Sequence, residues 1–362
     1  MVNKITPKWF TVTMGTGIVA LDAYLVPGAP GWLKGFGTLL WLINMLLFAT
    51  FMSGLGWRFA KDWQGIKRIL GHSVESLFFG AVPMALTTVV NGFFDIGPHL
   101  LGPRAIAIGG GLWLFNALLA LASVIVIPYL MFTRHEHGLG QMTAVWLMPI
   151  VPGEVAAASA GLWLPHLTSL AQRQDLYLVA TVFWALSVPL AFLVLGILFM
   201  RLAIHKLPAK EFAISTWITL GTLGTGIMGL MLLAHASPLA FPRMAGGLQG
   251  AATLAALILW GFGLWWLVMS GLMTLHYTRK RSLPFNLGWW GLTFPLGVFV
   301  GGSDLLNRAL GTPIFRWASL VLFALLALFW LTVAARTLQH AFRPRVRDAA
   351  TPNEAEAIEE AI

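Results

Sequence analysis

One carboxylate stands well inside an apolar stretch of this chain: Glu154, eight residues after Trp146 in "AVWLMPIVPGEVAAASAG". A carboxyl at such a position is expensive to bury, which makes it a candidate for binding a proton or for a neutral, hydrogen-bonded structural role near Ser159. Two threonines occupy repeated triplets, Gly15-Thr16-Gly17 in "WFTVTMGTGIVAL" and Gly224-Thr225-Gly226 in "WITLGTLGTGIMGL". Their hydroxyls could donate to an anionic ligand or bond back to their own helix. Neither triplet is a phosphate loop, since no Gly-Lys-Ser/Thr follows at the required spacing. Asp22, Asp95 and Asp304 fall near the ends of apolar runs, where solvated rims are expected. The nine histidines all fall in loops or at span ends, so paired haem ligands facing one another within spans are not expected. His135 and His137 in "RHEHG" fit a metal pair less well than a polar turn, and neither cofactor nor metal is expected.

The elements that must position these groups are membrane helices. Of 362 residues, 58% are hydrophobic and 10% charged, against about 25% charged in an ordinary soluble domain. Ten segments are apolar enough to span: 8–26, 36–56, 76–95, 105–132, 143–164, 175–200, 212–234, 247–275, 286–302 and 314–338. The first follows Lys4 and Lys8 as a secretory signal would, but it lacks a small-residue cleavage pattern and is expected to be retained. The chain has no cysteine, which excludes disulfide and thiol chemistry. Its net charge of +9 follows from basic loops rather than from nucleic-acid binding. Alternating the loops between sides puts 17 Lys and Arg on the side of the N-terminus and 6 on the other, predicting that both ends are cytoplasmic. Residues 1–340 form the membrane domain, and 341–362, basic and then acidic without aromatics, are expected to be a disordered tail.

A period underlies the spans. The odd-numbered ones begin with Trp9, Phe78, Trp146, Trp217 and Trp289, at intervals of 69, 68, 71 and 72 residues. A fixed period is the sign of one unit reused, here a hairpin of an outgoing and a returning helix. Helix breakers follow each aromatic by a few residues: Gly15 and Gly17, Pro83, Pro149 and Pro152, Gly221, Gly224 and Gly226, Pro295. Single glycines of this kind allow close helix packing. Five sets at a common depth predict broken odd helices lining a central path, with the returning helices outside. No Lys or Arg sits in the middle of an odd span, and a path without fixed charge suits a solute that must leave as easily as it binds.

"WFTVTMGTGIVAL", "AVWLMPIVPGEVAAASAG" and "WWGLTFPLGVF" occur in an order that resembles the tellurite-resistance and C4-dicarboxylate transporter family, with its malate permeases, sulfite efflux pumps and slow anion channels. The resemblance covers about residues 6 to 340. It implies an all-α integral membrane protein of ten helices, as five hairpins in quasi-fivefold arrangement around a pore, and a homotrimer in the plasma membrane. It implies transport of small oxoanions, C4-dicarboxylates such as malate first and sulfite second, rather than enzymatic turnover. A membrane redox enzyme is the alternative from another class. The matched Thr293-Phe294-Pro295 implies that Phe294 occludes the pore, which Gly15, Thr16, Gly17, Pro83, Pro149, Pro152, Gly224, Thr225 and Pro295 would line.

Overall fold

The computed structural model describes residues 5–280 and 283–342, so the expected tail lies outside the described residues from 343 onward. Every helix and strand element among them is helical: α1 (Phe10–Leu25), α2 (Gly31–Lys61), α3 (Trp63–Gly71), α4 (Ala81–Asp95), α5 (Gly97–Leu101), α6 (Arg104–Thr133), α7 (Pro152–Trp163), α8 (Leu170–His205), α9 (Thr219–Ala240), α10 (Ala245–Arg279), α11 (Phe294–Leu310) and α12 (Pro313–Phe342). Each expected apolar segment contains one of α1, α2, α4, α6, α7, α8, α9, α10, α11 and α12, of very different lengths. The amphipathic α3 and the single-turn α5 were not expected, because each is shorter than the window over which apolar content signals a span.

The odd and even segments differ as the sequence suggested. The returning helices α2, α6, α8, α10 and α12 have 30 to 36 residues, and in their most apolar windows only 22–39% of residues are buried. Their exposed surface is rich in Leu, Ile, Val, Phe and Trp, a composition suited to lipid contact. The outgoing helices are shorter and almost wholly buried, at 94% for the Glu75–Asp95 window and 89% for Lys210–Ala240. Seven helical segments among the described residues are long and apolar enough to cross a membrane. The helices α1, α7 and α11 have 16, 12 and 17 residues, short of the ~20 that a span requires.

The missing length is supplied by tighter winding. A 3-10 segment precedes each outgoing helix: Pro7–Trp9, Glu75–Gly80, Ala144–Leu147, Lys210–Ile218 and Leu287–Leu292. Such a segment rises ~2.0 Å per residue against ~1.5 Å in an α-helix. The change in winding therefore occurs at the repeated aromatic and not at the glycines: α1 and α9 run unbroken through their Gly-Thr-Gly triplets, contrary to the expected breaks there. Pro152 and Pro295 sit at the starts of α7 and α11, where a missing backbone donor costs nothing.

Helix contacts follow the hairpin order. α1 packs on α2, α4 on α6, α7 on α8, α9 on α10 and α11 on α12, while the outgoing helices touch in the cycle α1, α4, α7, α9, α11 and back to α1. A second tryptophan series ties each returning helix to the outgoing helix of the next hairpin. Trp41 donates to Val89 O at 3.2 Å, Trp113 to Ala156 O at 3.0 Å and Trp184 to Gly226 O at 3.0 Å. Trp260 donates to Ser303 Oγ at 2.9 Å, and Trp330 to Thr16 Oγ1 at 3.3 Å. Backbone carbonyls near the 3-10 segments are satisfied in the same way, from Ser123 to Pro149, Ser187 to Ile150 and Ser270 to Thr216. In an apolar medium these bonds replace water.

Candidate functional site

Because each hairpin returns the chain to its starting side, the five outgoing helices share one polarity. Their 3-10 segments converge at one end of the cycle around a cavity of about 400 Å³, within the usual range for a small-molecule site. All five hairpins contribute to its wall. Thr11 and Met14 come from α1, Phe78 and Met84 from the second hairpin, and Met148 and Val151 from the approach to α7. Ser215, Ile218 and Gly221 come from the approach to α9 and its first turn, and Gly291, Phe294 and Pro295 from α11 and its approach. The mouth is polar. Lys8, ion-paired with Glu75 and lying 5.1 Å from the Phe78 ring centre, stands there with Glu211 and Asn286.

Below the mouth the wall is apolar, and its floor is closed by Phe294, Met14, Met84 and Val151, each no more than 3% exposed. Met14, Val151 and Phe294 share one offset of five residues from their repeat aromatics. One hydroxyl breaks the apolar wall without a partner: Ser215 Oγ is buried and makes no hydrogen bond among the described residues. The Thr11 hydroxyl, by contrast, is spent on Lys8 O at 2.7 Å.

At the far end of the same helices lies a second, smaller cavity of about 90 Å³, which takes Ile18 and Asp22 from α1, Asn91 and Asp95 from α4, and Val300, Asp304 and Arg308 from α11. From Met14 to Ile18 is four helical residues and from Phe294 to Val300 six, so ~6–9 Å of packed side chains separates the two spaces. The helix N-termini face the larger cavity and the C-termini the smaller. The macrodipoles therefore favour an anion at the first and disfavour it at the second.

Of the helix breakers and site residues singled out in the sequence, Gly221, Phe294 and Pro295 reach the larger cavity. The Gly-Thr-Gly residues do not. A β-carbon on Gly15 would strike Thr293 and Trp290, one on Gly17 would strike Thr88 and Asn44, and one on Gly224 would stand 2.6 Å from the Phe299 amide nitrogen. Thr16 accepts from Trp330, and Thr225 donates back to Gly221 O at 2.7 Å. These positions hold helices together. Pro83 accepts from Thr87 at 3.0 Å and Pro149 from Ser123 at 3.0 Å through their carbonyls, also away from the cavity wall, and Pro152 opens α7.

Glu154 is fully buried and lines neither cavity. It faces α9 near Gly226, with the Thr222 and Thr225 hydroxyls as its nearest polar influences, yet neither carboxyl oxygen receives a complete hydrogen bond. His135 Nε2 lies 2.7 Å from Leu70 O and the His137 ring packs on Trp146 at 4.9 Å. Burial, followed by the neighbouring His135, holds the His137 imidazole below its ordinary pKa. Ser215 and the second tryptophan series escaped the sequence reading. The latter was visible as Trp41, Trp113, Trp184, Trp260 and Trp330, spaced by 72, 71, 76 and 70 residues.

Against known proteins, the description "Voltage-dependent anion channel" matches residues 4–338. The chain is 34% identical to a sulfite efflux pump of Arthroderma benhamiae over 93% of its own length and 91% of the relative. It is 28% identical to an uncharacterized transporter of Methanocaldococcus jannaschii, over 96% of each. It is 20% identical to a malic acid transport protein of Schizosaccharomyces pombe, over 91% of this chain and 76% of that one.

Proposed function

The chain belongs to the voltage-dependent anion channel family, and from that premise we propose that it passes small oxoanions across the plasma membrane through the axis of the α1, α4, α7, α9, α11 cycle. The observation that carries the reading is the placement of two cavities at opposite ends of the same five helices, closed off from each other around Phe294. In this reading all ten long helices cross the bilayer in quasi-fivefold order, the larger cavity opens to the cytoplasm with both termini, and three copies assemble with one path each. An anion is drawn in by five helix N-termini, meets Ser215 Oγ as a neutral donor, and waits for the Phe294 side chain to move aside. Weak, uncharged contacts suit passage better than a fixed Arg or Lys would.

Sulfite and C4-dicarboxylates stand as members of one substrate class. The order expected from the resemblance, malate before sulfite, gives way because the relative named for malic acid is the more distant of the two. Proton coupling through Glu154 is left out of the proposal, since its carboxyl opens into neither cavity. Purified protein in liposomes should be offered sulfite, malate, succinate, nitrate and chloride, with and without a pH gradient. Flux of at least one oxoanion above that of empty liposomes is the expected result, and none with any of the five would end the proposal.

A further inference from the structure

Asp22 lies near the C-terminal end of α1, 5% exposed, and its Oδ2 has no hydrogen-bond partner among the described residues. Ser319 on α12 is fully buried, and its Oγ is likewise unpartnered. Both line the smaller cavity. Two sealed polar groups from different helices, open to one space of about 90 Å³, describe a site for something small. That volume is a few times the ~30 Å³ that one water occupies in the liquid.

The charges around Asp22 narrow the choice. On α11, Asp304 faces it, and the Arg308 guanidinium is committed to Asp304 at 2.7 Å and to Leu25 O at 3.2 Å. On α4, Asp95 lines the same space. From α2, Lys34 lies over the Tyr24 ring at 5.7 Å instead. α9 contributes only Met228 and Leu232, and α12 only Ser319. Three carboxyl groups, one guanidinium and several helix C-termini therefore share the cavity; Arg308 pairs with Asp304, and of the three carboxyls Asp22 is the one with an oxygen sealed from solvent without a hydrogen-bond partner. Among the described residues no group of three or more His, Asp or Glu is arranged to hold a metal ion.

We propose that this cavity is a proton-binding site, with Asp22 as the carrier and Ser319 as its hydrogen-bonding neighbour, through which acidity on that side of the membrane sets the rate of anion passage. Asp22 Oδ2 takes a proton from hydronium in the cavity water, leaving a neutral carboxylic acid and a water molecule. The charge opposing an anion that arrives from the Phe294 layer falls by one. The effect on passage rests on the conduction reading, whereas proton binding does not.

Planar-bilayer currents with each face buffered separately test the proposal, using nitrate, which stays ionised throughout, in the parent and in Phe294→Ala. Acidifying the face of the smaller cavity should raise the current several-fold. Asp22→Asn should be locked at the high level and lose the response, while Asp304→Asn, which withdraws the neighbouring charge and frees Arg308, should move the midpoint to more acidic pH. In parallel, infrared titration should show a protonated-carboxyl band in the parent that Asp22→Asn lacks. An unchanged acid response or an unchanged band in Asp22→Asn overturns the assignment, as does an unmoved infrared midpoint in Asp304→Asn should Asp22→Asn fail to fold. Absence of any nitrate current in every protein would instead count against conduction, and the infrared result would still decide the proton site.

Discussion

Trp330 on α12 donates its indole N–H to the hydroxyl of Thr16 on α1 across 3.3 Å, joining the last helix of the membrane domain to the first. The other four tryptophans of the series bridge hairpins that are consecutive in the chain. This one closes the cycle, across 314 residues. Trp330→Phe and Thr16→Val should each lower thermal stability in detergent, with a coupling in the double-mutant cycle of ~0.6 kcal/mol and at most ~1.7 kcal/mol. Strict additivity would mean that the bond contributes nothing.

The two glycines around Thr225 should respond unequally to a methyl group. On Gly224 it would meet backbone, the Phe299 nitrogen at 2.6 Å and the Val298 carbonyl carbon at 2.7 Å. On Gly226 it would meet side-chain ends, Leu259 Cδ1 at 3.2 Å and Glu154 Oε2 at 3.4 Å. Gly224→Ala should cost ~1–3 kcal/mol or more, as overpacking does, and Gly226→Ala clearly less. Equal losses in calorimetry would contradict the helix contact.

Phe294→Ala should raise anion flux per reconstituted molecule while lowering thermal stability, since a large apolar side chain leaves a closed layer. Phe294→Leu should fall between. Unchanged or reduced flux from well-folded Phe294→Ala protein removes this residue as the occlusion.

Asp62 caps α3 by accepting from Gly65 N at 2.9 Å and pairs with Arg58 at 3.2 Å. The Gly65 N–H first, and Arg58 second, hold its carboxyl below the ordinary carboxylate range. A depressed value in the folded state means that the contribution is present above the unfolded carboxylate range and is lost as pH falls through the folded value. Asp62→Asn should therefore speed amide exchange in α3 at neutral pH, with the difference from the parent shrinking on acidification. A difference that widens in acid would be the wrong sign.

Lys67, exposed on α3, offers a clean topology test in a chain without cysteine. In cells, Lys67→Cys should react with an impermeant thiol reagent only after permeabilisation. Labelling of intact cells would reverse the assignment of the larger cavity to the cytoplasm.

Much of this architecture was legible in one dimension, because a repeat read along a chain survives folding. The aromatics from Trp9 to Trp289 marked the outgoing helices, and of the three residues expected at one depth from their shared offset of five, Met14 and Phe294 line the larger cavity while Pro83 does not. What misled was any residue whose role depends on the identity of its neighbour. Gly15 is a cavity residue or a packing residue according to whether open space or Trp290 lies opposite, and no spacing in the sequence states which. Asp22 read as a solvated rim because its distance from a span end was visible while the α11 and α12 side chains that enclose it were not. Glu154 drew attention for its solitude, yet a lone acid can face a neighbouring helix as readily as a path.

Where Gly224 meets the Phe299 backbone nitrogen, α9 and α11 touch with almost no side chain between them, and Gly15 on α1 leaves just the room that the Trp290 and Thr293 side chains fill. Helices locked at such range cannot spread like the blades of an iris without losing these contacts together. On the proposed conduction reading the scaffold acts as a door frame, and the part left to swing is a single aromatic ring hung on the first residue of α11. Opening on this plan is a rotamer event of small amplitude, so the same glycines that hold the frame shut also allow the door to be light.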